Sequence, residues 1–433
     1  MTKQVTLRYA RVGLASVAIS TIAAATVFAQ PSSSSAKIPV RSLGAVTAVS
    51  TDTLGPRVVV RALSDGTVLV NDVARQRVRL FDATLKTSTI VMDSGSNAAG
   101  GAMPVSFPSA QLIPYLGDST LYVDVASTSL LVLDAKGKVA HVMALPRPRD
   151  AMFLAIGGQF GTPAMDSKGR LVYRGVIINP PKPADPNAAS MGMPSFNMPQ
   201  QPDSSPIVRA DFDTRKVDTL ATIKALNPTS KMSMGPDKAG NLALRITLNP
   251  LDTGDEWVML TDGTVAIVRA QDYHVDFVDA DGTKRSAPKM PFDWKRLTDE
   301  QKQFKMDSIR PELDKQMKAQ GVSLPTIPTP NGPRKIVLAF DFVPLKEIAD
   351  YEPPISPGSV KSDLENRLWI VPRTASGGGT DGLRYDVVNR DGVLVERVIF
   401  PKNKVLAGFG PGGAVYLLNT DGKTALLERA TLK

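Results

Sequence analysis

The sequence predicts an all-β fold, a six-bladed β-propeller, and two observations carry that reading. The first is an ungapped internal repeat. Residues 63–83 (LSDGTVLVNDVARQRVRLFDA) and 260–280 (LTDGTVAIVRAQDYHVDFVDA) agree at eight of 21 positions, from Leu63/Leu260 to Ala83/Ala280. Asp-Gly makes a hairpin turn that tolerates positive φ. A β-branched run follows it as one strand. After a short polar loop, a second alternating strand ends at an Asp turn. The second observation is spacing. The ending of that second strand recurs as VRLFD to Asp82, LLVLD to Asp134, RADFD to Asp213, VDFVD to Asp279 and YDVVN to Asn389. The first two endings are 52 residues apart, and the next gap, of 79, contains a 27-residue Pro-rich insert at 179–205. Four short strands recurring about every 50 residues are the signature of propeller blades.

The elements follow in chain order. Lys3, Arg8 and Arg11 precede a charge-free apolar run from Val12 to Phe28, and Val27-Phe28-Ala29 places small residues before Gln30. This is the pattern of a secretory signal peptide over residues 1–29, cleaved before Gln30. The protein is therefore expected in the periplasm or outside the cell, with no membrane span after cleavage. The propeller is expected over 38–433, with blades near 54–92, 106–145, 163–225, 255–290, 357–400 and 404–433. The last unit has only three strands of its own: Val405–Phe409, Ala414–Leu418 and Ala425–Ala430. Val40–Val49 is expected to supply the fourth and to remove the open edge.

Two insertions interrupt the pattern. Residues 179–205 are rich in Pro and Met and are expected to be flexible. Residues 291–335, between the fourth and fifth blades, are helical and then Pro-rich. Thr298 with Gln301 fits a capping box. Phe304, Ile309, Leu313 and Met317 give an apolar stripe, Pro311 is expected to kink or split the helix, and Gly321 to end it. Pro325, Pro328, Pro330 and Pro333 then predict an extended tether. Every long stretch falls where a second strand leads to a third or a fourth to the next blade. The remaining turns are tight, as at Asp65-Gly66, Lys136-Gly137 and Asp281-Gly282. Insertions on one face of a repeat fold mark the expected binding side.

Composition bounds the chemistry. The 433 residues are 42% apolar and 21% charged, enough to bury a core. There is no Cys and only two His, His141 and His274. That excludes thiol catalysis, disulfides and zinc sites of the Cys or multi-His kind. Loss of residues 1–29 leaves 48 basic against 42 acidic residues. They are interspersed, without the clustered basic patch that nucleic acid would require, so no nucleic-acid partner is expected. No Gly-x-Ser-x-Gly elbow and no phosphate-cradling Gly motif is present.

The phrase DGTVLVNDVARQRVRLFD resembles an NHL repeat. The chain as a whole resembles the six-bladed propellers of the NHL-repeat and TolB-like type over most of 40–433, most strongly in blades one, two and four. The resemblance implies a fold and no chemistry, because propellers host many functions.

The expected function is binding of a protein partner or small ligand on the loop-rich face, without catalysis or a cofactor. Asp255 and Trp257 precede the first strand of the fourth blade, and Arg269, Asp272 and Tyr273 occupy the loop between its second and third strands. Arg174 ends the second strand of blade three, and Arg373 follows that of blade five. A guanidinium, a carboxylate and aromatics on one face suit ligand or peptide recognition. Arg269 is expected to contribute most. The alternative is a lactonase or esterase with Ca²⁺ at the central channel, as in some six-bladed propellers, which needs converging oxygen ligands. Met191, Met193 and Met198, with Met232 and Met234, also raise Cu(I) binding by thioethers.

Overall fold

Strand β1 (Val40–Val49) opens the ordered fold of the computed structural model and ties it to the far end of the chain. The structure describes residues 38–93, 103–104, 111–157, 160–175, 177, 202–225, 231–236, 242–320, 326–329, 332–375 and 382–432. The signal segment 1–29, the methionines at 191, 193 and 198, and Gly377-Gly378-Gly379 lie outside the described residues.

After β1 come β2 (Val58–Ala62), β3 (Val68–Asp72), β4 (Arg77–Phe81) and β5 (Ser88–Asp93), with the short β6 (Met103–Pro104). The next unit holds β7 (Ile113–Pro114), β8 (Thr120–Asp124), β9 (Ser129–Leu133) and β10 (Val139–Ala144). Helix α1 (Ala151–Ile156) leads to β11 (Ala164–Met165), β12 (Leu171–Arg174), β13 (Ser204–Ala210) and β14 (Val217–Lys224). Strands β15 (Lys231–Pro236) and β16 (Leu242–Leu248) precede β17 (Glu256–Met259), β18 (Val265–Arg269), β19 (His274–Val278) and β20 (Lys284–Ser286). Helix α2 (Asp299–Gln320), β21 (Thr326–Thr329) and β22 (Gly332–Phe342) follow. The chain closes with β23 (Ile355–Ser362), β24 (Leu368–Pro372), β25 (Arg384–Val388), β26 (Leu394–Ile399), β27 (Lys404–Gly410), β28 (Ala414–Thr420) and β29 (Ala425–Leu432).

The architecture is all-β and propeller-like. Sequential antiparallel sheets run β2 to β5, β7 to β10, β11 to β14 and β17 to β20. The repeat that the sequence shows twice folds the same way twice. Leu63 N–H donates to Thr67 O and Leu260 N–H to Thr264 O, closing equivalent turns. At the second tight turn, Asx side chains hold the chain. Asp134 Oδ1 accepts from Lys136 and Lys138 N–H, and Asn389 Oδ1 accepts from Asp391 and Val393 N–H. In the third unit that role falls to Asp211, whose N–H donates to Lys216 O, and not to Asp213.

Side chains alternate between the two faces of each sheet, so each sheet buries apolar residues on both sides. Val172 and Ile267 share a cluster between β11–β14 and β17–β20, while Tyr173 packs on the other side with Leu121 and Leu154. The first strands of neighbouring sheets meet: β2 with β27, β7 with β11, and β17 with β23. These strands form the inner side of the fold.

Four expectations are corrected. The fifth and sixth blades are not separate sheets. Strand β1 pairs parallel with β26 over Val40–Ser42 and antiparallel with β29 from Leu43 to Val49, which merges them into one eight-stranded sheet. The connections on either side of the fourth unit are not loops throughout. They contribute a separate sheet, β15-β16-β22-β21, in which β16 and β22 run parallel. The Pro-rich tether is a hairpin, with Thr326 opposite Lys335 and Pro328 opposite Pro333. Proline is tolerated there because β21 is an edge strand. Helix α2 is not split at Pro311 but runs through it as one element. Its capping box forms as expected: Thr298 N–H donates to Gln301 Oε1 and Gln301 N–H to Thr298 Oγ1. Its buried face is different. Phe304 is 73% exposed, whereas Met306 and Lys302 are buried. The Lys302 stem takes the apolar position and its ammonium donates to Asp350 Oδ1 at 2.6 Å. No helix among the described residues is long and apolar enough to cross a membrane.

Candidate functional site

The expected site residues lie at one end of the sheets, where the long connections enter and leave. Arg174 closes β12, Arg269 closes β18, Arg373 follows β24, and Asp255 and Trp257 flank the start of β17. They do not converge on one point. They fall into three groups, each fixed by a different neighbour.

Arg269 belongs to an ion-pair network. Its Nη1 donates to Asp255 Oδ2 at 2.7 Å and its Nε to Asp276 Oδ2 at 2.7 Å. Nη1 also donates to Thr222 O on β14, at 3.2 Å. Burial pulls this guanidinium down, but hydrogen bonds to Asp276 and Asp255 outweigh it and hold it above its ordinary value. Asp255 is further tied by the N–H groups of Lys224 and Ala270. Arg269 and Asp276 line a cleft of about 280 Å³ with Ala221, Ile267, Phe277 and Arg285. Because β14 and β20 are the outer strands of their sheets, this cleft lies away from the inner strands. Asp272 accepts from Lys289 and pairs with His274 at 2.7 Å.

Tyr273 is fully buried and reaches the third strand of the neighbouring sheet. Its hydroxyl donates to Asp386 Oδ2 at 3.3 Å. Arg373 spans two connections, donating to Ser356 Oγ, Pro250 O and Asp252 O. Burial pulls it below its ordinary value, with Glu352 and Asp252 opposing.

The third group sits on the inner strands. Glu256, the first residue of β17, is buried, and its Oε2 accepts the Gly358 N–H of β23 at 2.9 Å. Burial pushes its carboxyl up to about 8, against the Gly358 N–H and the charge of Arg174, while Asp255 adds to the rise. Arg174 is buried as well, which lowers it against the pull of Glu256. Its guanidinium lies 4.9 Å from the ring centre of Phe160. Phe160 is held in turn by Trp257, whose Nε1 donates to Phe160 O at 3.1 Å. Trp257 thus positions the group from beneath and is itself buried.

Glu256 and Phe160 are functional candidates that the sequence reading passes over. A Glu that opens an otherwise apolar strand, EWVM, is the available signal. Phe160 carries none, because its partners come from two other sheets.

A calcium ion is not matched by these residues. No three His, Cys, Asp or Glu side chains converge among the described residues. Glu256 accepts a backbone N–H and lies in the field of the Arg174 guanidinium, where a cation would need oxygen ligands. The side chains of Met232 and Met234 lie outside the described residues.

No protein-family model matches the chain, and no curated protein matches it. Solved structures do. A gluconolactonase from Xanthomonas campestris aligns over 90% of this chain and 95% of its own, at 12% identity and a TM-score of 0.38. Virginiamycin B lyase from Staphylococcus aureus aligns over 88% and 98%, at 9% identity and 0.37. The calcium-binding protein regucalcin from Agrobacterium tumefaciens aligns over 91% and 97%, at 12% identity and 0.37. At these identities and scores the likeness is one of architecture and carries no argument about substrate or metal.

Proposed function

We propose that the chain is an exported propeller, six-bladed when the eight-stranded sheet is counted as two blades joined through β1. It binds a small polar ligand at the loop-rich end of its inner strands. The observation that supports this reading is the buried Glu256 carboxyl in the field of the buried Arg174 guanidinium. A carboxylic acid held near 8 can donate or accept a hydrogen bond at neutral pH. The neighbouring guanidinium supplies a planar donor for a carboxylate or hydroxyl, and Phe160 an apolar platform. Arg269 serves this site indirectly, by fixing Asp255 next to Glu256.

The test is a thermal-shift panel of small carboxylates, sugars and sugar lactones. A true ligand stabilises the wild-type protein and loses that effect in Arg174→Ala and Glu256→Gln while both variants remain folded. A panel that stabilises wild type and both variants equally refutes the site. Mass spectrometry of exported protein should find an N-terminus at Gln30, and a retained full-length chain would refute export by cleavage.

A second reading is lactone or ester hydrolysis, favoured by the same carboxyl. Glu256 has the proton affinity of a general acid or base that works near neutrality. No step through a metal is assigned. Hydrolysis of a sugar lactone should show a pH dependence with an inflection near 8 that disappears in Glu256→Gln. Equal rates in the two proteins would leave binding as the function.

A further inference from the structure

We propose that the outer edge of β10 is a docking site for an extended segment of a partner protein, apolar at its centre and acidic at its ends. This surface lies on the rim of the fold and does not rest on the reading of Glu256 and Arg174. Strand β10 is the last strand of its sheet, and no strand among the described residues pairs with its outer side. Its sequence, VAHVMA, carries no Asp, Glu, Lys or Arg, and Val142 is 58% exposed. The outer strands of the other blade-like sheets are covered or charged. Strand β6 covers β5, and β1 covers β26 and β29. Strand β14 carries Asp218 and Lys224, and the short β20 carries Lys284 and Arg285. Folded proteins blunt open edges by such cover or charge, and an uncharged edge is a template for a further strand.

The side chains along this edge are apolar on the side of the first sheet. Val139 lies opposite Leu133 and Val142 opposite Leu131, and both leucines belong to the cluster on which Val91 of β5 packs. Antiparallel partners share a face. A bulge between Val139 and His141 keeps Val139 and Val142 on that one face. The backbone direction is set as well. Arg215 Nη1 of the third sheet donates to Ala144 O at 2.9 Å. In an antiparallel strand the N–H and C=O of one residue point the same way, and alternate residues share that direction. Val142 therefore presents its N–H and C=O outward, as Ala144 does.

Charge decides what the ends of the partner must be. Exposed Lys136 and Lys138 precede the strand, and exposed Arg149 and Arg215 lie beyond its far end. Asp134 and Asp211 accept N–H groups of their own turns, and Asp150 is buried against Arg147. Asp213 is the exposed carboxylate among them. A second copy of β10, laid antiparallel, would bring its Arg149 end against Lys136 and Lys138, like charge on like. A segment with Asp or Glu at both ends meets opposite charge instead.

Calorimetric titration of the mature chain with the peptide DEVTVTVTED tests this, with KKVTVTVTKK as a control of equal core. Saturable binding of the acidic peptide is expected, weakened by added salt, and it should protect the Val142 amide from hydrogen exchange. Val142→Pro should still fold, because proline is tolerated where an edge strand turns its N–H outward. It should weaken binding about tenfold or more, by loss of a pairing hydrogen bond and by the bulk of the ring. Reversing Lys136→Glu and Lys138→Glu together should weaken it severalfold. If Val142→Pro does not fold, Val142→Asp takes its place and must weaken binding in the same way. Basic peptide bound as tightly as acidic peptide, or acidic-peptide affinity unchanged in the Val142 variant, overturns the proposal. Dimerisation of the free chain in sedimentation, abolished by the same variant, also overturns it, since the occupant would then be a second copy.

Discussion

Replacement of Arg269 by Ala separates a structural clamp from a recognition residue. The guanidinium is joined to two carboxylates at 2.7 Å each, and its side chain is only 26% exposed. Removing one member of a buried ion pair costs about 3–5 kcal/mol, because the remaining charge is left buried. Here two features reduce that figure. Asp255 keeps the N–H groups of Lys224 and Ala270, and Asp276 is a quarter exposed. A loss of about 2–3 kcal/mol is therefore expected, between the surface and buried limits. At roughly 2 °C per kcal/mol for a large domain, this lowers the melting temperature by about 4–6 °C. Differential scanning calorimetry measures it. Asp255→Asn provides the second side of a double-mutant cycle, and the two losses should not add. An unchanged melting temperature, or strict additivity, would refute the clamp and restore Arg269 as a residue free to contact a ligand.

Three further outcomes follow from the geometry. Glu256 binds its proton more tightly when folded, at about 8, than its ordinary 4.5. The unfolded chain then releases that proton first, so stability falls as pH rises from 4.5 to 8. Glu256→Gln should flatten this slope in urea titrations, and a parallel profile refutes the raised value. Deleting residues 38–52 removes both partners that β1 supplies, so the whole domain should melt earlier, which circular dichroism can follow. An unchanged melting curve would place the closing contacts elsewhere. Gly382 and Gly282 both have positive φ, but an added Cβ at Gly382 meets Phe400 O at 1.9 Å while Gly282 has open space. Gly282→Ala should cost about 1–2 kcal/mol of backbone strain, Gly382→Ala clearly more, and equal losses in chemical denaturation would contradict the close approach.

The turns were legible because their chemistry is local. Asp-Gly and Asx residues act on their own neighbours, so Leu63–Thr67 and Asp134–Lys138 close where the sequence places them. The capping box of Thr298 is legible for the same reason. The small sheet was not, because Leu242 pairs with Ile336 across the whole fourth unit and a parallel register leaves no local mark. Phe304 misled because an apolar stripe assumes that only apolar residues are buried, and the Lys302 stem took the place instead. The expected site residues share one end of the sheets but not one cluster, for a spatial reason. Strand ends on one face share a height, but side chains alternate between opposite gaps, so Arg174 faces Glu256 while its neighbour Tyr173 meets Asp150.

Strand β1 has a consequence in time. Thr47 Oγ1 donates to Arg429 O across 382 residues, and the strands that β1 pairs with are β26 and β29. A chain made from its N-terminus presents β1 long before either of its partners. Until those partners are made, β1 has no strand to pair with, and each sheet laid down behind it must form without it. Strand β29 therefore fixes β1 in place only after the intervening sheets have been made. A polypeptide stalled before residue 404 would keep β1 as an open edge, available to a chaperone or to another stalled copy.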